Sequence, residues 1–102
     1  MPNLRPIARQ AVSAEGMVTT FRSVTWPSHT SLITGTFPAR HGVIGNSVWN
    51  RETQQEVKYI GDPVLIKDEA FRVLTFCDVA HKAGLSTASV IWLCSNGAQT
   101  LN

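Results

Sequence analysis

The chain has 102 residues, of which 43% are hydrophobic and 16% are charged, and nine Lys and Arg against seven Asp and Glu give a formal net charge of +2. These values predict one small globular domain, and the low charged fraction indicates that other protein covers much of its surface. The scattered basic residues argue against a nucleic-acid polymer as partner, and the absence of a long apolar run argues against a signal peptide or a membrane segment.

The first 24 residues predict a helix followed by a strand. Apolar residues recur at helical spacing over residues 3–15, with Asn3 as the N-cap and Gly16 as the stop. Residues 17–24, MVTTFRSV, are β-branched and aromatic, and this composition favours a strand.

A short polar helix is predicted next. Pro27 suits the first helical position, so Thr25 or Trp26 would be the N-cap, and the helix would end at Gly35 after about two turns. Residues 36–46 contain several Pro and Gly residues and are predicted to form a loop.

The second half predicts a hairpin, a helix and a strand. The hairpin would have its polar turn at residues 50–55 and its return strand at 56–60. A helix over residues 69–83, capped by Asp68 and stopped by Gly84, would bury four apolar side chains, namely Phe71, Leu74, Val79 and Ala83. Residues 86–93, STASVIWL, are apolar in their second half, which is typical of a strand that is covered on both faces.

This order of elements predicts an α/β layer structure with a mostly parallel sheet and flanking helices. Two central strands cannot form a well-covered parallel sheet by themselves, so we expect residues 1–102 to be a single fragment of a larger domain. Cys77 and Cys94 lie seventeen residues apart without a CxxC pair, so the sequence favours buried free thiols over a structural zinc site.

The stretch SVTWPSHTSLITG, residues 23–35, concentrates hydroxyl groups at the start of the predicted short helix. The first backbone N–H groups of a helix lack internal acceptors, and the peptide dipoles add about half a positive charge there, so anions bind readily. A hydroxyl group at this position is well placed to attack a phosphate, although a metal ion or a base must help to ionise it. Thr25 is the best-placed candidate.

The segment resembles the nucleophile region of the type I phosphodiesterase/nucleotide pyrophosphatase family, in the alkaline phosphatase superfamily. Members carry a Thr-aromatic-Pro-Asn/Ser-His run, a Thr-Gly, a Tyr/Phe-Pro and a His-Gly-Ile/Val-x-Gly-Asn, in that order. The corresponding residues here are Thr25-Trp26-Pro27-Ser28-His29, Thr34-Gly35, Phe37-Pro38 and His41-Gly42-Val43-Ile44-Gly45-Asn46. The helix around PNLRPIARQ and the segment FCDVAHKAGLSTASVIW resemble the flanking parts of the family.

The resemblance implies an alkaline-phosphatase-like fold and hydrolysis of phosphodiester or pyrophosphate bonds in small, nucleotide-like substrates. In such enzymes the threonine that matches Thr25 is the nucleophile and contacts one of two zinc ions. Ser28 stands where many members have an asparagine that binds phosphate oxygens, and Asn46 is a further candidate for substrate binding or for a turn. The departure at Ser28 puts the exact substrate subclass in doubt. Leu93 is a further departure, since members often have proline there.

The resemblance also implies that the other zinc ligands lie outside this sequence, so the isolated fragment is expected to be inactive. Two alternatives stay open: a stand-alone, non-enzymatic module with an anion site at the helix start, and a phosphonate hydrolase of the same superfamily. The compartment is not assigned.

The remaining polar and aromatic residues favour structural roles. His29 and His41 are expected to form structural hydrogen bonds, and His81 is expected at the surface near a helix end. Ser31, one turn into the helix, is expected to pack or to hydrogen-bond a carbonyl. Three tryptophans are expected in the core by size, with a pocket role open for the first of them; they are Trp26, Trp49 and Trp92.

Overall fold

The computed structural model describes residues 2–61, 70–90, 92–93, 95 and 97–100. This part of the chain is a small α/β structure. Its elements, in chain order, are α1 (Leu4–Gln10), α2 (Thr25–Thr34), α3 (Pro38–His41), β1 (Ser47–Asn50), β2 (Gln55–Lys58) and α4 (Phe76–Lys82). Helix α2 packs against both α3 and α4.

The predicted hairpin is confirmed. Strands β1 and β2 are antiparallel, and their register runs from the pair Ser47 and Lys58 to the pair Asn50 and Gln55. The side chain of Asn50 stabilises the turn, because its Oδ1 accepts hydrogen bonds from the backbone N–H groups of Glu52 and Thr53 at 2.9 and 3.2 Å. Asparagine is favoured in turns for this reason.

The predicted end of the short helix is also confirmed. Gly35 adopts a left-handed conformation with φ +63°, and its N–H group donates to the carbonyl of Ser31 at 2.9 Å. The prediction of an uninterrupted loop after it is wrong, since Pro38–His41 form one helical turn that closes at Gly42, with φ +87°. Proline at the first helical position and glycine after the last one delimit this turn.

Two other predicted helices are shorter than expected. Helix α1 ends at Gln10 instead of extending to Gly16, and none of its residues is buried, so no packed face prolongs it. Helix α4 begins at Phe76 because Thr75 forms a capping box with Asp78, and the residues from Phe71 to Thr75 are not helical. The predicted cap at Asp68 lies outside the described residues.

The predicted strand at residues 17–24 is not formed, and the described residues of the predicted strand at 86–93 are not in a strand either. Within the described part of the chain, the hairpin is the only sheet, and it is antiparallel. A strand needs a neighbour to pair its backbone groups, and neither segment has one there. The expected parallel sheet is therefore not observed.

The core is small. Within the described part of the chain, the hydrophobic core cluster has six buried residues, and Tyr59 packs against them; the six are Trp26, Ile33, Val43, Ala70, Phe71 and Cys77. Cys77 is a buried free thiol, as predicted, and Cys94 lies outside the described residues. The accessible surface is 7967 Å², against roughly 5,700 Å² for a compact monomer of this mass.

Many large apolar side chains are therefore exposed. The expectation that all three tryptophans are core residues is wrong for Trp49 and Trp92, which are 61% and 38% exposed. Leu74 and Val79, predicted to face inward, are 53% and 57% exposed. The residues with the highest exposed fractions are Val12, Val18, Phe21 and Val90.

Candidate functional site

Helix α2 begins at Thr25. Val24, in an extended conformation with φ −108° and ψ 163°, is the N-cap, and its side chain forms no cap hydrogen bond. The prediction that Thr25 or Trp26 caps the helix and that Pro27 opens it is therefore wrong by one to two residues. The consequence is that Thr25 lies inside the first turn, half-buried, with its backbone already helical.

The first turn receives its cap from a distant part of the chain. The backbone N–H of Trp26 donates to Oδ1 of Asn46 at 2.9 Å, across twenty residues of sequence. The carbonyl of Asn46 in turn accepts from the backbone N–H of Tyr59 at 2.9 Å, just after β2. Asn46 thus joins the start of α2 to the hairpin and lies beside the residue that follows Thr25.

Within the described residues, the Thr25 hydroxyl has no recorded hydrogen bond. Its carbonyl accepts a hydrogen bond at 2.8 Å from Nδ1 of His29, one turn further along α2. A carbonyl oxygen only accepts, so Nδ1 of His29 carries the proton. His29 therefore contacts the backbone of Thr25 and not its side chain.

Ser28 lies one turn after Thr25, so the two residues share a face of α2. The Ser28 hydroxyl accepts a hydrogen bond from Oγ1 of Thr19 at 2.9 Å. Ser28 and Thr19 line a shallow cavity next to α2, together with Thr20 and Ser31. The structure thus brings Asn46 to the start of the helix, whereas the recorded partner of Ser28 comes from the segment before the helix.

His41 is fully buried, and its ring forms two hydrogen bonds. Its Nδ1 accepts from the backbone N–H of Val43 at 3.1 Å, and its Nε2 lies 2.9 Å from Oγ of Ser31 on α2. Burial lowers the pKa of His41 from its ordinary value because the charged ring would lose its hydration. The structural roles predicted for His29 and His41 are confirmed, and His81 is exposed in the last turn of α4, as predicted.

Sequence reasoning missed two of these contacts. It assigned Ser31 to packing or to a carbonyl, whereas the partner of Ser31 is the ring of His41. It also treated Asn46 as a contact to substrate or as a turn residue, without the bond to Trp26. No periodicity in the sequence could have identified either contact, since each joins residues that are ten or twenty positions apart.

The electrostatic environment of the site is simple. The first turn of α2 contains no acidic residue, and the one ion pair among the described residues joins Lys58 to Glu56, in β2. In the same part of the chain, no three His, Cys, Asp or Glu side chains are grouped so that they could hold a metal ion. The helices described there are also too short or too polar to cross a membrane.

Comparison with known proteins identifies one family of enzymes. A family model for type I phosphodiesterase/nucleotide pyrophosphatase matches residues 1–100. The chain is 34% identical over 55 residues to a bis(5'-adenosyl)-triphosphatase of Xenopus laevis and 36% identical over 58 residues to the human ectonucleotide pyrophosphatase/phosphodiesterase family member 7. It is 35% identical over 57 residues to the ectonucleotide pyrophosphatase/phosphodiesterase 2 of Saccharomyces cerevisiae.

These matches cover 54%, 57% and 55% of the chain but only 12%, 13% and 12% of the relatives. The chain therefore matches about one eighth of the length of these curated relatives. No solved structure matches the chain.

Proposed function

The chain belongs to the type I phosphodiesterase/nucleotide pyrophosphatase family, and we propose that it carries the nucleophile segment of an enzyme that hydrolyses phosphodiester or pyrophosphate bonds. The observation that carries this proposal is the hydroxyl of Thr25. It lies in the first turn of α2, without a hydrogen-bond partner among the described residues, and the N–H of the following residue, Trp26, is bonded to the carboxamide of Asn46.

In the proposed reaction, Oγ1 of Thr25 attacks phosphorus, the bond from phosphorus to the leaving alcohol or phosphate breaks, and the released oxygen takes a proton. The phosphorylated threonine still carries the second substituent of the substrate on phosphorus. Water then attacks this phosphorus, the bond from phosphorus to Oγ1 breaks, and Oγ1 takes a proton from the water, which restores the hydroxyl and releases the phosphate monoester. The start of α2 favours this chemistry, because its dipole stabilises negative charge that develops near the first turn.

Asn46 and Ser28 are the proposed phosphate contacts. Oδ1 of Asn46 is occupied by the N–H of Trp26, so the NH₂ group of the same carboxamide is the part that remains to donate to a phosphate oxygen. The Ser28 hydroxyl accepts from Thr19 and keeps its own proton for donation. Both contacts are hydrogen-bond donors, as an anionic substrate requires.

Among the described residues, neither His29 nor His41 is available as a base for Thr25. Nδ1 of His29 is bonded to the carbonyl of Thr25, and His41 is bonded to Ser31 and Val43. We therefore propose that the isolated chain is inactive and that activation depends on groups outside the described residues.

Two zinc ions are the proposed activators, since bound zinc lowers the pKa of an oxygen nucleophile. The described residues do not fit such a site by themselves, because no group of three potential ligands exists among them and Thr25 would contribute a single oxygen. We derive no catalytic step through zinc from this chain and propose that the ligands come from the rest of the family domain.

The same proposal extends to the fold. Residues 17–24 and 86–93 are β-prone in sequence, and the side chains of Val18, Phe21 and Val90 are 85–100% exposed. We propose that these segments become strands of an alkaline-phosphatase-like parallel sheet when the rest of the family domain supplies their neighbours.

The stand-alone anion module has less support. Its binding groups would be the first amides of α2, and the N–H of Trp26 is already bonded to Asn46. A phosphonate hydrolase would use the same Thr25 nucleophile, so only comparison of substrates distinguishes it from the leading proposal.

The test uses a polypeptide in which this chain is continued by the rest of the family domain, with bis(4-nitrophenyl) phosphate as substrate. Thr25→Ala is expected to lower kcat by roughly 10³-fold or more, because the attacking oxygen is removed. The control is Ser23→Ala, which removes an exposed hydroxyl two residues earlier and should keep kcat within about twofold.

Mass spectrometry of the acid-quenched reaction should find a 4-nitrophenyl phosphoryl group on Thr25. If Thr25→Ala hydrolyses the diester at the rate of the parent, the proposal is wrong. Assay of a phosphonate monoester in parallel decides between the two hydrolase assignments, and the 102-residue chain with added zinc should hydrolyse neither ester.

A further inference from the structure

Residues 42–46 connect α3 to β1 and contain the proposed phosphate contact Asn46. This connection is fixed at its beginning, because His41 and Val43 are both fully buried. Gly42 adopts φ +87°, and a side chain there would meet Nε of Arg72 at 2.9 Å, so the backbone is confined from that side as well.

The protonation of the His41 ring follows from its partners. A backbone N–H group only donates, so Nδ1, which accepts from Val43, has no proton. In the neutral ring the proton is then on Nε2, which donates to Oγ of Ser31 at 2.9 Å. A ring in this state cannot take a proton from Ser31, so the pair is not a nucleophile and its base.

Two bonds attach this connection to α2, one from His41 directly before it and one from Asn46 at its end. His41 bonds to Ser31, and Asn46 bonds to the N–H of Trp26. His41 and Asn46 are five residues apart, and so are their partners in α2, Ser31 and Trp26. Five helical residues span about 7.5 Å along the helix axis. The first attachment therefore sets the place along α2 at which the second one forms.

We propose that His41 is a positioning residue, which holds the connection against α2 so that the carboxamide of Asn46 reaches the first turn beside Thr25. Its role in hydrolysis rests on the proposed function. The attachment itself is a property of the chain and does not depend on catalysis.

The surroundings of His41 support a neutral ring that is held in place. Burial lowers its pKa, so the ring stays neutral near pH 7. Its carbonyl accepts from the N–H of Arg72 at 3.2 Å. Arg40 precedes it in α3, and the Arg72 side chain lies over Gly42, the residue that follows it.

Two substitutions separate the bonds of His41. In His41→Asn, the carboxamide oxygen takes the place of Nδ1 and still accepts from Val43, but the side chain does not reach Ser31. In His41→Gln, the carboxamide nitrogen takes the place of Nε2 and still donates to Ser31, but the acceptor for Val43 is lost. Ser31→Ala removes the helix partner and keeps the ring.

The first measurement is long-range ¹H–¹⁵N NMR of the unsubstituted 102-residue chain. It should show the His41 ring protonated on Nε2 and not on Nδ1. A ring protonated on Nδ1 contradicts the proposal, whatever the variants do.

The second measurement is hydrogen exchange of the Trp26 amide, relative to the Val79 amide in α4, which donates to the carbonyl of Thr75 and serves as the internal control for opening elsewhere in the chain. The ratio of the two rates is expected to rise about tenfold or more in His41→Asn and in Ser31→Ala, because both remove the bond between His41 and α2. It should rise less in His41→Gln, which still donates to Ser31. An unchanged ratio in both His41→Asn and Ser31→Ala overturns the proposal.

The third measurement is a double-mutant cycle in the polypeptide that carries the rest of the family domain. If His41 acts through Asn46, the kcat/KM of His41→Asn combined with Asn46→Ala should equal that of Asn46→Ala alone within about twofold. Full additivity contradicts the proposal. Failure of the Thr25 test with NMR results as expected would overturn the proposed function and leave the attachment in place.

Discussion

The region formed by α2, α3, the hairpin and α4 differs from the flanking segments, residues 17–24 and 86–93, in how its apolar side chains are used. In the first region Trp26, Ile33 and Val43 are at most 7% exposed. In the flanking segments Val18 and Phe21 are 100% and 94% exposed. Their sequences are similarly apolar, so hydrophobicity alone does not explain the difference.

The two parts differ in how far along the sequence the partners of their backbone groups lie. The hairpin pairs its own two strands, α2 ends at its own Gly35, and α4 is capped by the preceding Thr75. Residues 17–24 would need separate strands as neighbours to satisfy their backbone, and the described residues provide none. Local partners suffice for the first region, whereas the flanking segments depend on distant ones.

Replacing one aromatic residue in each region gives the largest expected contrast. Trp26→Ala should lower the free energy of unfolding by about 3–5 kcal/mol, because it removes a buried ring that lies 5.4 Å from the ring of Tyr59. Phe21→Ala should change it by less than about 0.5 kcal/mol. Urea denaturation of the chain, followed by far-UV circular dichroism, measures both, and equal losses would contradict the comparison.

The capping box of α4 gives a smaller contrast. The Thr75 hydroxyl accepts from the N–H of Asp78 at 3.2 Å and donates to its carboxylate at 2.8 Å, so Thr75→Ala should cost about 1–2 kcal/mol. Thr53→Ala, in the exposed hairpin turn, is the matched control and should be neutral within about 0.5 kcal/mol. If both variants denature at the same urea concentration, the local cap is not what holds α4.

The sequence predicted those features that depend on neighbouring residues. The hairpin, the stop at Gly35 and the surface position of His81 all follow from local chemistry and are confirmed. The predicted start of α2 was too late by one to two residues. Pro27 is compatible with more than one early helical position, and Val24 has no side chain that could cap a helix.

Some features of the candidate site could likewise be predicted from neighbouring residues, and others could not. The motif around Thr25 could be read along the chain, because its residues follow one another in sequence. The bonds from Asn46 to Trp26 and from His41 to Ser31 could not, since they depend on the path of the connection between α3 and β1. These long-range bonds give the site its geometry.

The smallest expected effect is that of pH, because protonation of His41 deletes no atoms. The unfolded ring titrates near 6.5, and burial lowers the pKa of the folded ring. Between these two pKa values the unfolded state binds more protons, so stability rises with pH there. The contribution is complete above pH 6.5 and is lost as the pH falls through the folded pKa, because a proton on Nδ1 faces the N–H of Val43.

Urea denaturation at several values between pH 5 and 8 tests this, in a range where most carboxylates stay ionised. His41→Asn should remove the decline at low pH, because the carboxamide accepts from Val43 at every pH. His81→Gln, in the exposed last turn of α4, should keep the decline, since both bonds of His41 remain. If the stability of His41→Asn falls equally at low pH, the loss of stability comes from another titrating group. His41 would then not be one of the residues that make the region around α2 more stable than the flanking segments.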